Sequence, residues 1–528
     1  MSSRATDLAV FHHMYQSIAD EMGAGLARTA YSPNIKERRD FSCALFDAEG
    51  RLLAQAAHIP VHLGAMPRSV EAARRAFPSM QPGDVVMLND PFEGGTHLPD
   101  ITLVSPVFHD EACFGFTATR AHHADVGGMT PGSLPNSRSI YQEGLRIPPV
   151  RLVRTREIND DLLRIVCANS RNPSERRGDM RAQLHAHHLG ETRWRDMLHR
   201  CGARTLQLAH EELFAYAESA MRNAIAELPE GEWTAGDGIE NDSATGVEAG
   251  IRAKLILKDG TAQIDFTDTD DAVAGSLNAV RAITEAAVAY VFLCWMCKDN
   301  PADPPPVNAG CLRPLTLRTR PGSLVDAQLP SAVAGGNVET SQRIVDVVLA
   351  LLARAAPDRV PAQSQGTMNN ITFGGTDATG KGFAYYETLA GGSGAGPGRP
   401  GASAIQCHMT NTLNTPIEAL EFTYPLRVRE LGIRSGSGGR GQSPGGNGMT
   451  REWEALVPME VTFLTERRLL SPAGAQGGDP GKPGRQLLLR DGISTLLPGK
   501  GTLSLQAGDR IRVETPGGGG FGPPASAT

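Results

Sequence analysis

The side chains best suited to chemistry gather between Asn89 and Asp125. The stretch Asn89-Asp90-Pro91-Phe92-Glu93-Gly94-Gly95-Thr96-His97-Leu98-Pro99-Asp100 sets several carboxylates and an imidazole beside a glycine pair. His97 and Asp100 stand three residues apart, close enough for one turn to aim both at a single point. Downstream, a strand-like run ends in Arg120-Ala121-His122-His123-Ala124-Asp125-Val126-Gly127-Gly128. A strand period of two sends His122 one way and His123 with Asp125 the other. Imidazole nitrogen combined with carboxylate oxygen suits zinc, manganese or iron, whereas calcium and magnesium prefer all-oxygen shells. Such a shell with an open position generates hydroxide at neutral pH or polarises a carbonyl. A lone histidine here would read as a turn residue bonded to backbone. The grouping of His97, His122 and His123 with Asp90, Asp100 and Asp125, beside glycine pairs, favours a metal site, although the spacing matches no zinc signature and the choice of ligands is open on residue chemistry alone.

Other polar groups are less specific. Glu37-Arg38-Arg39-Asp40 reads as a solvated corner before a strand, and His58-Ile59-Pro60-Val61-His62-Leu63-Gly64 as a hydrogen-bonded turn, because Pro60 disfavours a helical histidine pair. Ala334 to Arg343 leads into a helix whose first amides suit an anion. Ser364 to Asn370 and His408 to Thr412 are amide- and hydroxyl-rich stretches of the kind that orient a small polar ligand. There is no G-x-x-x-x-G-K-[ST] loop, nucleophile elbow or dinucleotide fingerprint in a fitting context, so the chain shows no ATP-binding apparatus of its own.

The elements that must position these residues belong to a chain of 528 residues, 40% hydrophobic and 21% charged, enough for several cores. A net charge of -7 argues against a nucleic-acid binder. No apolar run is long enough for a signal peptide or a membrane span, and eight scattered cysteines suit a reducing cytoplasm. Cys294 and Cys297 fall in an apolar helical run and read as small buried residues. The 59 glycines cluster in turns between patterned segments and imply tight backbone approaches. Leu8, Phe11, Tyr15, Ile18, Met22 and Leu26 mark an amphipathic helix from Asp7 to Thr29, capped by Thr6 or Asp7. Phe41 to Phe46 and Leu52 to Gln55 form a hairpin, Arg68 to Ala76 a short helix, and Ile101 to Phe108 with Ala112 to Arg120 a second strand pair. Helices dominate Ile158 to Leu228, a loop holds Gly236-Asp237-Gly238, strands run over Arg252–Leu257 and Gln263–Asp268, and helices return at Thr284–Cys297 and Val345–Ala355. The mixture lacks βαβ regularity, which predicts a multi-lobed α+β architecture. Its expected parts are an N-terminal metal-binding region (1–230), a central α+β region (231–425) and a glycine-rich, β-rich C-terminal region (426–528).

At these residues the sequence resembles the hydantoinase B/oxoprolinase family. The resemblance runs through Arg28 to Ser42, His58 to Gly64, Asn89 to Ile101, His122 to Gly128 and Tyr141-Gln142-Glu143-Gly144-Leu145-Arg146. It continues through Ala334 to Val345, Gln365 to Asn370, Tyr386-Glu387-Thr388, His408 to Pro416 and Thr515 to Gly520, and so covers essentially the whole chain. The chain departs from the family pattern at Gln442-Ser443-Pro444-Gly445-Gly446 and after Phe521-Gly522-Pro523-Pro524, where subunit contacts or substrate choice would be affected more than the metal.

The resemblance implies the metal-binding subunit of a two-subunit, ATP-dependent amidohydrolase. A hydantoinase A-type partner would bind the ATP and phosphorylate the carbonyl oxygen of a cyclic amide such as a hydantoin, 5-oxoproline or a lactam. It implies a hetero-oligomer such as α2β2 in the cytoplasm, with neither nucleic acid nor membrane as partner. It places the divalent ion, zinc or manganese with iron as a further option, on Asp40, His97, Asp100 and His122. His123, Asp125 and Asp90 would orient those ligands or replace one of them, and Arg38, Arg120 and Arg146 would handle phosphate or carboxylate charge. The rival expectations are a subunit of an ATP-dependent ketone carboxylase and a non-catalytic assembly subunit.

Overall fold

A computed structural model describes residues 2–56, 59–62, 64–241 and 246–525. His58 and Leu63, and the side chains of Thr6 and Asp7 expected to cap the first helix, lie outside the described residues.

The N-terminal part is a seven-stranded antiparallel sheet with helices on both faces. In chain order its elements are α1 (Ser2–Thr29), α2 (Pro33–Lys36), β1 (Phe41–Asp47), β2 (Leu52–Ala56), α3 (Met66–Ala76), β3 (Val85–Leu88), β4 (Asp100–His109), β5 (Ala112–His122), β6 (Val150–Arg154) and β7 (Glu157–Ile158). The strand order is β2-β1-β5-β4-β3-β6-β7. Three helices follow, α4 (Asp160–Ala168), α5 (Pro173–Cys201) and α6 (Ala203–Ala226). Strand alternation sorts the side chains. Phe41, Cys43 and Leu45 meet Tyr15, Ile18, Met22 and Leu26 of α1 and Trp194 of α5. Ala44, Phe46, Val104, Phe116 and Ala118 meet Met66, Val70 and Ala73 of α3 on the other face. With both faces covered, every residue of β1 is buried.

The central part holds β8 (Gly231–Glu240), β9 (Val247–Lys258), β10 (Thr261–Asp265), α7 (Arg281–Cys297), β11 (Leu315–Arg318) and α8 (Ser341–Ala355). The four strands form a sheet in the order β11-β10-β9-β8, and α7 and α8 join its core. Gly236-Asp237-Gly238 lies within β8 and not in a loop, because the ladder to β9 runs through all three residues and Asp237 is claimed by Arg343 and Arg467. The two cysteines of α7 are not both buried: Cys294 is exposed and Cys297 half-buried, although Trp295 and Met296 between them are buried. All eight cysteines are free.

The remaining elements are β12 (Asn370–Thr376), β13 (Gly382–Glu387), α9 (Ile417–Thr423), β14 (Leu426–Arg434), β15 (Gly448–Ala455), β16 (Met459–Leu464), β17 (Arg485–Arg490), β18 (Ile493–Leu497), β19 (Lys500–Leu505) and β20 (Arg510–Glu514). They make two sheets, β13-β12-β16-β19 and β14-β15-β20-β17-β18, packed around Phe373, Tyr385, Trp453, Val461 and Ile511. The fold is therefore α+β with a β-rich C-terminal part, as the patterning predicts. Beyond β20 the chain threads between other glycine-rich segments. Successive amides point to different neighbours: Gly517 N–H donates to the Lys482 carbonyl (3.1 Å), Gly518 to Gly446 (2.9 Å), Gly519 to Gln363 (2.8 Å) and Gly520 to Asp479 (2.9 Å). A Cβ on Gly518 would fall on the Ser393 carbonyl and one on Gly520 on the Arg440 carbonyl, so this close approach admits glycine alone.

A buried charge network ties these parts together. Glu466 accepts from Lys500 Nζ (2.6 Å) and Arg343 Nη2 (3.1 Å), and Arg467 donates to Asp346 (2.6 Å) and Asp237 (2.8 Å). Glu339 lies beside it, bonded through Oε1 to Asn370 Nδ2 (2.7 Å) and the Met368 amide (3.1 Å). Burial, reinforced by the charge of Glu466, pushes its pKa up to about 8 from 4.5. The folded chain thus holds a proton that the unfolded chain releases, so this contribution to stability is full below pH ~4.5 and is lost as pH rises through about 8. Glu339→Gln is expected to flatten the fall in unfolding free energy between pH ~5 and ~8, followed by urea unfolding across that range. An unchanged slope would mean that the carboxyl is already ionised.

Candidate metal centre

His97, Asp100 and His122 converge at the open end of the β4–β5 pair. Asp100 begins β4, His122 ends β5, and the two are register partners on the α3 face. His97 comes from the preceding loop, which Asn89 buckles down: its side-chain amide donates to the carbonyls of Leu98 (2.7 Å) and Leu145 (2.9 Å) and accepts the Ile147 amide (2.7 Å). One ligand atom from each of the three residues lies within 4.8 Å of the others, and all three side chains are buried. Asp100 Oδ1 is 2.8 Å from His97 Nε2 and 3.0 Å from His122 Nδ1. Asp100 Oδ2 accepts from Thr96 Oγ1 (3.1 Å) and sits 3.3 Å from His62 Nε2, whose Nδ1 is 2.9 Å from Ser42 Oγ. Burial alone would discourage ionisation of Asp100. The charge of His97 and hydrogen bonds from His122, His62 and His97 outweigh it and hold the carboxyl well below the usual carboxylate range.

Two imidazole nitrogens and a carboxylate oxygen facing one point are a donor set that zinc, manganese or iron accepts. The other nitrogens, His97 Nδ1 and His122 Nε2, are buried without a hydrogen-bond partner among the described residues. The residues therefore fit a divalent ion. Asp40 is not one of the three converging residues. It stands beside them as the residue before β1: its carbonyl accepts the His122 amide (2.9 Å), and its charge acts on His62 and Tyr386. Arg39, with φ +56, makes the left-handed bend that delivers it there.

The other expected site residues separate clearly. His123 faces α5, where its Nε2 lies 3.0 Å from Gln183 Oε1, so strand parity divides it from His122. Asp125 accepts from the amides of Gly127 (3.1 Å), Gly132 (3.2 Å) and Arg171 (3.0 Å), which fixes the following loop. Asp90 caps the short turn at Pro91 and pairs with Arg146 (3.4 Å), which lies over the Tyr141 ring. Arg120 shares the α3 face with His122 and donates to Thr102 Oγ1 (2.9 Å) and Ser69 Oγ (2.7 Å). Burial lowers its pKa to about 10, opposed by the Asp100 charge. Arg38 is buried between Asn34, the Tyr386 carbonyl and Thr388, with its guanidinium 4.7 Å above the Tyr386 ring.

Four residues reach the site without a role read from the sequence. The Tyr386 ring stacks on His122 at 4.7 Å and its hydroxyl donates to Asn370 Oδ1 (2.9 Å). Asn337 Nδ2 is 3.2 Å from His97 Nε2. His62 braces Asp100. Glu143 accepts the amides of Val333 (2.8 Å) and Ala334 (3.0 Å), so the helix start beginning at Ala334 does bind an anion, and that anion is the protein's own carboxylate. Burial pushes the Glu143 pKa up to about 7. All four lie in stretches that the sequence marks as motifs, but no spacing rule links them to His97.

The chain has extensive likenesses to known proteins. The profile of the Hydantoinase B/oxoprolinase family matches residues 4–524. The chain is 40% identical to 5-oxoprolinase 1 of Arabidopsis thaliana over 98% of its own length, but spans only 41% of that protein. It is 31% identical to the proposed B-type component of a D-/L-hydantoinase from a Pseudomonas species, covering 96% of this chain and 88% of the relative. The crystal structure of the ATP-dependent caprolactamase from Pseudomonas jessenii superposes with a TM-score of 0.90 at 28% identity, over 98% of this chain and 91% of that one. Among the described residues no helix is long and apolar enough to cross a membrane. From its first strand to its glycine-rich tail, the chain belongs to the hydantoinase B/oxoprolinase family.

Proposed function

We propose that this chain is the metal-holding subunit of an ATP-dependent amidohydrolase that opens a cyclic amide, either a hydantoin, 5-oxoproline or a lactam. An A-type partner binds the ATP and phosphorylates the amide oxygen, within a cytoplasmic hetero-oligomer such as α2β2. The observation that carries the reading is the buried His97–Asp100–His122 cluster with both imidazoles turned to one carboxylate oxygen. The names of the relatives support the substrate class, and the 88% coverage of a relative named as a B-type hydantoinase component supports a division of labour between this chain and another.

In this reading Asp100 supplies a carboxylate oxygen, His97 and His122 supply imidazole nitrogens, and Asp40, the residue before β1, completes the ligand set. The ion they hold, zinc, manganese or iron, supplies Lewis acidity towards a carbonyl or a water molecule. His62 and Thr96 keep Asp100 oriented by engaging its second oxygen. Tyr386 shields the outer face of His122 from water. Arg38 and Arg120 leave buried positive charge beside the cluster, which favours an anionic, phosphorylated ligand.

Co-expression with an A-type subunit and assay against a lactam and hydantoin panel tests the proposal. ATP-dependent ring opening is expected, with neither subunit active alone. Full-rate hydrolysis by this chain without ATP would sink the two-subunit reading, and turnover of a ketone that requires bicarbonate would point to carboxylation instead.

A further inference from the structure

Asn337 is almost wholly buried, on the single wide helical turn Gly336–Thr340 that leads into α8. The turn has little freedom. Gly335 and Gly336 both donate to the Ser276 carbonyl (2.8 and 3.1 Å), and a Cβ on Gly336 would overlap the Asn278 carbonyl. Just upstream, Glu143 Oε1 clamps the amides of Val333 and Ala334 and accepts from Ser137 Oγ (2.6 Å). The Asn337 side chain is therefore aimed by a rigid backbone, and what it meets is His97 Nε2 at 3.2 Å, the same nitrogen that lies 2.8 Å from Asp100 Oδ1. Its Oδ1 is buried and has no partner among the described residues.

His97 Nε2 has a single in-plane bonding site, so an ion seated there excludes both its hydrogen bond to Asp100 and the Asn337 contact. When that site is committed to an ion, the Asn337 N–H groups are left beside the cluster with nothing to donate to. A buried donor without an acceptor is costly, so an acceptor must be found there. We propose that Asn337 is a substrate-contacting residue: its side-chain N–H donates to an oxygen of the molecule seated at the His97–Asp100–His122 cluster, the oxygen of a cyclic amide or of its phosphorylated form. This rests on the functional reading above and adds the group that holds the reacting end of the ligand. Glu143 keeps the turn in place and does not itself touch the ligand.

The test uses the full chain loaded with cobalt(II), whose visible spectrum reports ligands at the site, titrated with inorganic phosphate. Asn337→Ala is expected to keep wild-type cobalt content and affinity while binding phosphate about tenfold more weakly. In the complex with an A-type subunit, kcat for ring opening should fall about 10²-fold, as for loss of one preorganised donor. Asn337→Asp, of the same shape but without N–H donors, should lose turnover in the same way and still hold cobalt. Loss of cobalt from Asn337→Ala would make Asn337 a ligand through Oδ1 and overturn the proposal. So would phosphate binding and turnover at wild-type levels. If the wild-type complex opens no ring at all, the functional reading fails, while the cobalt titration still decides the role of Asn337.

Discussion

Asp100→Ala is expected to strip the divalent ion from the chain and to lower ring opening in the complex by about 10³-fold or more, since a bound metal supplies several kcal/mol of transition-state stabilisation. Asp100 Oδ1 is the only carboxylate oxygen shared by His97 and His122 among the described residues, so no neighbour replaces it. The substitution leaves three histidines with less to bond to, and the fold should survive. Metal content by elemental analysis of the purified variant decides the matter: an undiminished metal content would remove Asp100 from the ligand set. The same measurement on Asp40→Ala separates a true fourth ligand from a residue that only anchors His122 through its carbonyl.

Glu466→Ala is expected to destabilise the chain by about 3–5 kcal/mol, the usual cost of leaving buried charge uncompensated. Glu466 is fully buried and serves two buried cations, Lys500 and Arg343, from different parts of the molecule. Removing it strands Lys500, whose remaining partner is the Glu240 carbonyl (3.0 Å). The urea midpoint, compared at constant slope, reports the loss. A double replacement, Glu466→Leu with Lys500→Met, should recover most of it, because an apolar pair of similar volume carries no desolvation cost. A loss under about 1 kcal/mol for the single variant would show that water reaches the network.

Much of the site is legible in the sequence because it is local. His97, Asp100 and His122 sit close along the chain, and an antiparallel pair returns β5 to the start of β4, so a two-residue period suffices to separate His122 from His123. The amphipathic spacing of α1 and the hairpin of β1 with β2 are legible for the same reason. Asn337 and Tyr386 are not, because each arrives from a distant part of the chain and only packing brings it to His97 or His122. Asp237 reads locally as a loop residue because its flanking glycines are the strongest local turn signal, and the ladder to β9 overrides that preference. Cys294 reads as buried because an apolar window does not say which side of a helix faces out.

The glycine thread at 517–520 also sets an order of events during synthesis. Around Gly391–Gly394, Ser437–Gly446 and Ala473–Gly481 the close approaches are backbone to backbone, and the carbonyls of Gly446 and Asp479 find their donors in Gly518 and Gly520, which leave the ribosome later. The N-terminal sheet with the His97–Asp100–His122 cluster can condense while translation continues, since its strands pair among themselves. The C-terminal part must wait with unsatisfied backbone. A ribosome stalled before Gly517 should therefore display a paired N-terminal sheet attached to an unclosed, protease-sensitive remainder.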